Sequence, residues 1–200
     1  MRDTVVVLTK LPGQLPVKTR LLPVLGEEGV RGQVVRWLRD VVALARTVDP
    51  EPVVAYSPPD ADPGAALPGV SGCVFRPVAG ADGATCLENA LRDAYRGAPL
   101  VALGNDAPDL PADRLAGAVR ALETRDAVFV PTGDGGFSLL GLRRPVDGLA
   151  GGFRYGERES LAALRGFFEG RGLSVAELDP WPDIDTPADL EAYRGRLRAP

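Results

Sequence analysis

Thr4-Val5-Val6-Val7-Leu8-Thr9, near the start of the chain, is the stretch that decides the fold. The run is uninterrupted and rich in β-branched residues, a pattern typical of a strand covered on both faces in a parallel sheet. A segment rich in proline and glycine follows over residues 10–23, and from about residue 27 to residue 48 apolar side chains recur at helical spacing. This order predicts the first unit of an α/β domain, with the opening strand at its centre.

The same alternation continues along the rest of the chain. Further strands are predicted at residues 52–56, 70–78, 100–103, 127–131, 138–142 and 174–178. Helices are predicted from a Thr85-x-x-Glu88 capping box to about residue 96, over 112–123, over 160–169 and from Thr186-Pro187 onward. The pattern favours one domain over residues 1–200, a three-layer α/β/α sandwich with a mostly parallel central sheet. Ligands of such sheets bind at the carboxyl ends of the strands, here after residues 9, 103, 131 and 178.

Composition limits the chemistry that this chain could perform. It has no histidine, which excludes Ser-His and Cys-His catalysis and imidazole-ligated zinc. The formal net charge of −4 gives no global attraction for nucleic acid or anionic membranes. Its apolar runs are too short to cross a bilayer, and it has only two cysteines and no recognisable signal peptide. We therefore expect a cytoplasmic protein that uses carboxylates, basic side chains and a hard metal ion.

The loop after the first strand is the predicted nucleotide-binding segment. It brings the cations Lys10, Lys18 and Arg20, together with Thr19 and Gly13, to the region before a helix. Backbone amides, the helix dipole and these cations could converge on a di- or triphosphate. The alternative is a solvated basic loop without a ligand. The motif is neither a Walker loop nor a dinucleotide-binding glycine motif.

Carboxylates follow two of the later predicted strands. Asp106 lies just after residues 100–103, where it could hold Mg²⁺ or Mn²⁺ against nucleotide phosphates, and Asp185 or Asp183 could complete that metal site. Asp109, by contrast, precedes a predicted helix and is expected to cap it.

The segment Gly133-Asp134-Gly135-Gly136-Phe137 allows two interpretations. Asp-Gly is a common hairpin turn, so the segment could simply join two strands. Consecutive glycines also allow the backbone to approach a ligand, which would let Asp134, Gly135 and Gly136 bind an acceptor, with Asp134 as a base.

The ordered set of motifs resembles a known bacterial family. K-x-P…V-K-T-R-L, G-x-D-x-P-D-L, D-G-G-F-x-L-x-G-L and D-I-D-T-P-x-D-L occur in this order over about residues 4–190. The set is similar to the DUF2064 group, often labelled rSAM/selenodomain-associated transferase 1. The first and last motifs also resemble phospholactate-type guanylyltransferases and, more distantly, the molybdenum-cofactor nucleotidyltransferases.

The resemblance implies a glycosyltransferase-A or nucleotidyltransferase fold that binds a nucleotide and a small-molecule acceptor. By this resemblance Lys18 and Arg20 contact phosphates, Asp106 and Asp185 hold the metal ion, and the Asp134 loop lies on the acceptor side. Three functions stay open: nucleotidyl transfer from an NTP to a small phosphorylated acceptor, sugar transfer from an NDP-sugar, and non-catalytic nucleotide binding. The third is suggested by Gly13, which stands earlier in the first loop than in the family pattern.

Overall fold

Strands and helices alternate along residues 4–198, the part of the chain that this computed structural model describes. The strands are β1 (Thr4–Lys10), β2 (Val53–Ser57), β3 (Val74–Pro77), β4 (Leu100–Gly104), β5 (Ala127–Pro131), β6 (Phe137–Leu142) and β7 (Val175–Glu177). The helices are α1 (Leu22–Ala45), α2 (Pro63–Ala66), α3 (Gly83–Ala94), α4 (Ala112–Ala121), α5 (Ser160–Glu169) and α6 (Pro187–Arg198). Short 3₁₀ turns lie at Thr19–Leu21 and Leu149–Gly151.

The strands form one sheet in the order β3-β2-β1-β4-β6-β5-β7. All neighbouring pairs are parallel except the two that involve β6, which runs antiparallel to both β4 and β5. Helices α1 and α4 cover one face of the sheet, and α3 and α5 cover the other. The three-layer sandwich with a mostly parallel sheet is therefore confirmed.

Strand β1 shows why its sequence predicted a central position. Val5 and Val7 are buried in the core on one face, and Val6 is buried in the core on the other. Successive side chains of a strand point to opposite faces, so a strand between two helix layers needs apolar residues at every position.

Helix α3 corrects the predicted capping box. Its cap is Asp82, whose carboxylate accepts hydrogen bonds from the Thr85 amide at 2.8 Å and the Thr85 hydroxyl at 2.8 Å. Glu88 does not reach back to the start of the helix, because its carboxylate accepts the amides of Gly148 and Ala150 instead. The helix begins at Gly83, and its cap therefore lies three residues before the cap predicted at Thr85.

Asp109 corrects a second prediction, because it does not cap α4. The cap position is Pro111, which has no side-chain hydrogen bond. The Asp109 carboxylate accepts hydrogen bonds from the Trp181 indole at 3.2 Å and from Arg196 at 2.6 Å. Asp109 thus ties the end of β4 to the C-terminal helix.

Other boundaries differ modestly from the predictions. Helix α1 begins at Leu22 and crosses a kink at Gly26, whose φ of 65° interrupts the helix just before the predicted start. Strand β3 is confined to the second half of the predicted stretch. The predicted start of α6 is confirmed: Pro187 is its first residue, and Thr186 and Asp189 exchange hydrogen bonds. No helix within residues 4–198 is long and apolar enough to cross a membrane.

Candidate active site

The predicted site residues gather at one edge of the sheet. The carboxyl ends of β1, β4 and β5 meet at this edge because these strands are parallel, and β6 starts there because it runs the opposite way. The chain order along the sheet reverses between β1 and β4. Doubly wound sheets bind their ligands at this switch point.

The beginning of the first loop is a tight turn that leads the chain away from β1. The Leu11 amide donates to the carbonyl of Ser57 at the end of β2, and the Leu15 amide donates back to Leu11. Gly13 has a φ of 84°, which explains a glycine at this turn. An open groove beside the loop is lined by Lys10, Lys18, Thr19 and Arg20 but not by Gly13.

Lys18 lies at the centre of the site. Its ammonium is 2.8 Å from a carboxylate oxygen of Asp106 and 2.5 Å from one of Asp185, and only 9% of its side chain is exposed. Burial alone would lower the pKa of Lys18, but the two carboxylates overcome it and raise the pKa above its ordinary value. Lys18 is therefore fully charged.

The backbone of Lys18 is strained. With φ 44° and ψ 43° it is left-handed, and within residues 4–198 no other non-glycine residue has a positive φ. This conformation costs an L-residue roughly 1–2 kcal/mol. Strain of this kind persists where the surroundings fix it and is concentrated at functional sites. Here the two carboxylates and the amide of Leu21, which donates to the Lys18 carbonyl at 2.9 Å, hold the residue in place.

Arg20 supplies a second, freer cation. Its guanidinium is 3.8 Å from the other carboxylate oxygen of Asp185, and 71% of its side chain is exposed. An exposed guanidinium can rotate toward a ligand in the groove and grip a phosphate with two parallel hydrogen bonds.

The segment that carries Asp183 and Asp185 is fixed by the residue between them. The amide of Ile184 donates to the carbonyl of Asp106 at 2.9 Å, which places the segment beside the end of β4. The side chain of Ile184 is fully buried in a small core that joins the first loop to α1 and α6. Its members are Leu21, Val30, Val34, Trp37, Ile184, Leu190 and Tyr193.

Three carboxylates lie close together beside Lys18. Oxygen atoms of Asp134, Asp183 and Asp185 all lie within 4.8 Å of one another. Burial, and then the charges of Asp134 and Asp185, raise the pKa of Asp183 to about 6. So many negative charges in so small a space favour a cation.

The turn between β5 and β6 fixes Asp134. Its carboxylate accepts hydrogen bonds from the Thr132 hydroxyl at 2.5 Å and the Gly136 amide at 3.1 Å. Burial would raise the pKa of Asp134, but these hydrogen bonds outweigh it and lower the pKa. Asp134 is therefore ionised. The turn joins β5 to β6, which confirms the first interpretation, and binding of an acceptor by Asp134 stays a prediction.

Gly135 and Gly136 allow close contacts within the protein. A Cβ atom on Gly135, where φ is 92°, would overlap the carbonyl oxygen of Arg158 and lie 2.8 Å from its carbonyl carbon. A Cβ on Gly136 would lie 2.9 Å from the Thr132 hydroxyl. The chain itself thus requires Gly135, whereas a side chain at Gly136 would require only that the Thr132 hydroxyl shift. Contact of either glycine with an acceptor stays a prediction.

An open groove of about 1140 Å³ runs from the first loop across the end of β1 to the start of α3. A smaller cavity of about 70 Å³ adjoins the groove. It lies between the end of β4, near Asp106, and the start of β6 at Phe137. Tyr155 lines both, although the sequence reasoning assigned it no role. The only local signal was an aromatic residue beside glycine in a stretch without periodicity.

The fold is that of the α/β proteins to which nucleotidyltransferases and nucleotide-sugar transferases belong. A structure from Desulfovibrio desulfuricans G20, described as a candidate nucleotide-diphospho-sugar transferase, is 28% identical, with a TM-score of 0.85 over 100% of this chain and 90% of that one. The inositol-1-phosphate CTP transferase of T. maritima is 16% identical, with a TM-score of 0.65 over 98% and 94% of the two chains. The 2-C-methyl-D-erythritol 4-phosphate cytidylyltransferase of Thermus thermophilus is 16% identical, with a TM-score of 0.59 over the full length of both. The last two comparisons concern the fold alone.

The chain belongs to the DUF2064 family, which is described as an uncharacterised protein conserved in bacteria and whose profile matches residues 40–157. No curated protein matches the sequence.

Proposed function

We propose that this protein is a metal-dependent transferase that moves a nucleotidyl group from an NTP to a small phosphorylated acceptor. One observation carries the proposal: a fully charged lysine, Lys18, is held in a strained backbone conformation between Asp106 and Asp185 at the switch point of the sheet. The groove that opens there is large enough for a nucleotide, since small-molecule sites typically span about 300–1,000 Å³.

The cations of the first loop suit the triphosphate. Lys10, Lys18 and Arg20 line one wall of the groove together with the Thr19 hydroxyl. In this arrangement they would bind the phosphates and neutralise the charge of a departing pyrophosphate. Positioning and charge neutralisation account for most of the catalysis of phosphoryl-type transfers, and neither requires a histidine.

The acidic residues fit a divalent cation. Asp106 and Asp185 already share one positive partner in Lys18, and carboxylate oxygens of Asp134, Asp183 and Asp185 lie within 4.8 Å of one another. Carboxylate oxygens are the ligands that Mg²⁺ and Mn²⁺ prefer. We propose Asp106 and Asp185 as the ligands. When bound, the ion would offset the negative charge of the phosphates.

The direct test is pyrophosphate release. The protein is incubated with each NTP and a panel of sugar phosphates and polyol phosphates, with and without Mg²⁺, and pyrophosphate is measured. We expect release with one acceptor, dependent on the metal and abolished in Asp106→Ala. Asp113→Ala is the control, because that carboxylate is exposed on α4, away from the groove.

Sugar transfer from an NDP-sugar is the second candidate. It is favoured by the 28% identical structure described as a candidate nucleotide-diphospho-sugar transferase. In that reaction Asp134, fixed by Thr132 and Gly136, would accept the proton of the attacking hydroxyl. Release of an NDP from an NDP-sugar, without pyrophosphate from any NTP, would select this reaction. Nucleotide binding without either product would indicate a non-catalytic binding protein.

A further inference from the structure

Three aromatic side chains form an aromatic wall beside the acidic residues: Phe137 at the start of β6, Phe153 and Tyr155. The ring centroids are 5.6 Å apart for Phe137 and Phe153, 5.7 Å for Phe137 and Tyr155, and 5.0 Å for Phe153 and Tyr155. Phe153 is buried, whereas Tyr155 is 48% exposed. The wall therefore presents one ring to solvent and supports it from behind with two others.

Tyr155 stands where the two cavities meet. It lines the large groove together with the first loop, and it lines the small cavity together with Asp106 and Asp183. Its ring also lies close against the start of α3, since a Cβ on Gly83 would be 2.9 Å from a ring carbon of Tyr155. A ligand that extends from the groove into the small cavity has to pass this ring.

The charges differ on the two sides of Tyr155. The groove side carries four cations, Lys10, Lys18, Arg20 and Arg154, among the carboxylates of Asp82, Asp106, Glu157 and Asp185. The small cavity is lined by the carboxylates of Asp106 and Asp183, and no described residue that lines it is a cation. Phosphates are therefore favoured in the groove, and a second anionic group is disfavoured beyond Tyr155.

We propose that Tyr155 is a specificity-determining residue that stacks on a neutral, hydroxyl-bearing ring, a sugar or cyclitol, joined to the phosphates in the groove. The inference rests on the proposed function and identifies the non-phosphate part of its ligand. An aromatic face covers the C–H face of such a ring, while Asp183 and the Ser138 hydroxyl, both at the small cavity, provide partners for its hydroxyl groups. The assignment is the same for nucleotidyl and sugar transfer, because the product of one and the donor of the other are both NDP-sugars.

The phenol of Tyr155 stays neutral in this position. Desolvation of the hydroxyl, followed by the negative charge of Asp106, raises its pKa above the ordinary value. A protonated phenol can donate a hydrogen bond to a ring hydroxyl, and the ring itself remains free to stack.

Matched pairs of nucleotides test the inference. Affinities are measured by calorimetry in Mg²⁺ for the diphosphates of all five bases, for their hexose conjugates and for CDP-choline. The diphosphates are ADP, CDP, GDP, UDP and dTDP, and the conjugates are ADP-glucose, CDP-glucose, GDP-mannose, UDP-glucose and dTDP-glucose. The wild-type protein is compared with Tyr155→Ala and Tyr155→Phe. For at least one base, we expect the hexose to strengthen wild-type binding by about fivefold or more. Tyr155→Ala should bind the NDP-hexose no more tightly than the matching NDP, whereas Tyr155→Phe should retain most of the gain.

Each other outcome overturns the inference in a distinguishable way. If NDPs bind but the hexose gain is the same in Tyr155→Ala, Tyr155 does not contact the ring. If Tyr155→Phe loses as much of the hexose gain in affinity as Tyr155→Ala does, the aromatic ring of residue 155 does not stack on the sugar. A gain with choline and none with any hexose would assign the cavity to a cation. If no nucleotide binds the wild-type protein, the proposed function fails and this inference fails with it.

Discussion

Replacing Gly135 by alanine should destabilise the fold strongly, because two independent costs coincide at this residue. Its φ of 92° lies in the region that L-residues avoid, a cost of about 1–3 kcal/mol. The added Cβ would also overlap the carbonyl oxygen of Arg158, and this neighbour is backbone that cannot rotate away. Forcing the two segments apart costs about another 1–3 kcal/mol. The amide of Leu161, which donates to the Gly135 carbonyl at 3.0 Å, would be displaced with them.

We therefore expect Gly135→Ala to lower the free energy of unfolding by about 3 kcal/mol, which for a chain of this size is a fall of roughly 6–12 °C in Tm. Differential scanning calorimetry and urea unfolding measure this. Gly133→Ala is the matched control in the same turn: nothing lies within 4 Å of the position that its added methyl group would occupy and its φ is not positive, so its Tm should stay close to that of the wild type. A Gly135→Ala protein that melts within about 2 °C of wild type would refute the close approach of the turn to Arg158.

Three further changes test other contacts. Lys18→Met should weaken NTP binding at least about tenfold by calorimetry, because a charge-assisted hydrogen bond to phosphate is lost. Asp126→Asn should lower the free energy of unfolding, measured with urea at pH 7, by about 1 kcal/mol. The expected loss is small because solvent screens the exposed part of the Asp126 side chain. Hydrogen bonds from Ser174 lower the pKa of Asp126 below 3.8, so its contribution is present above that pH and is lost as the pH falls through the lowered value. Asp109→Ala should destabilise by about 2 kcal/mol, because it leaves Arg196 without its buried partner.

Each of these changes has its own control. The Lys18→Met protein should unfold cooperatively, and unchanged NTP affinity would remove Lys18 from the nucleotide site. If Asp126→Asn lowers the free energy of unfolding by the same amount at pH 3 and pH 7, the ionised carboxylate of Asp126 is not the source of the stabilisation. Asp113→Ala is the control for Asp109→Ala, because the Asp113 side chain is 71% exposed. Equal losses in the free energy of unfolding for the two variants would mean that the pair between Asp109 and Arg196 adds no stability.

The fold was predictable because its strands are signalled locally. The β-branched run at residues 4–9 needs no distant partner to be identified as a buried strand, and Pro187 with the Thr186 and Asp189 pair marks the start of α6 in the same way. The errors have a common cause. Thr85-x-x-Glu88 and Asp109 look like helix caps, but Glu88 is engaged by amides some 60 residues away and Asp109 by a guanidinium 87 residues away. Local patterns do not reveal such competitors.

The site was predictable to the same extent. The direction of the parallel strands predicts which residues gather at one edge of the sheet: Lys18, Asp106, Asp134 and Asp185. The position of the Lys18 ammonium between two carboxylates depends on the path of the segment after β7. The burial of Ile184 fixes that path. Tyr155 could not be assigned a role, because its position depends on packing against Phe137 and Phe153 rather than on any sequence period.

The pair between Lys18 and Asp185 also sets the time at which the site can form during synthesis. Its two members are 167 residues apart, and the small core around Ile184 draws on both α1 and α6. While the chain is being made, β1 to β4 can pair and bury their core before Asp185 has emerged, yet Lys18 then lacks one of the two carboxylates that hold it. The nascent protein should therefore pair strands β1, β2, β3 and β4 well before it completes the contacts that hold Lys18.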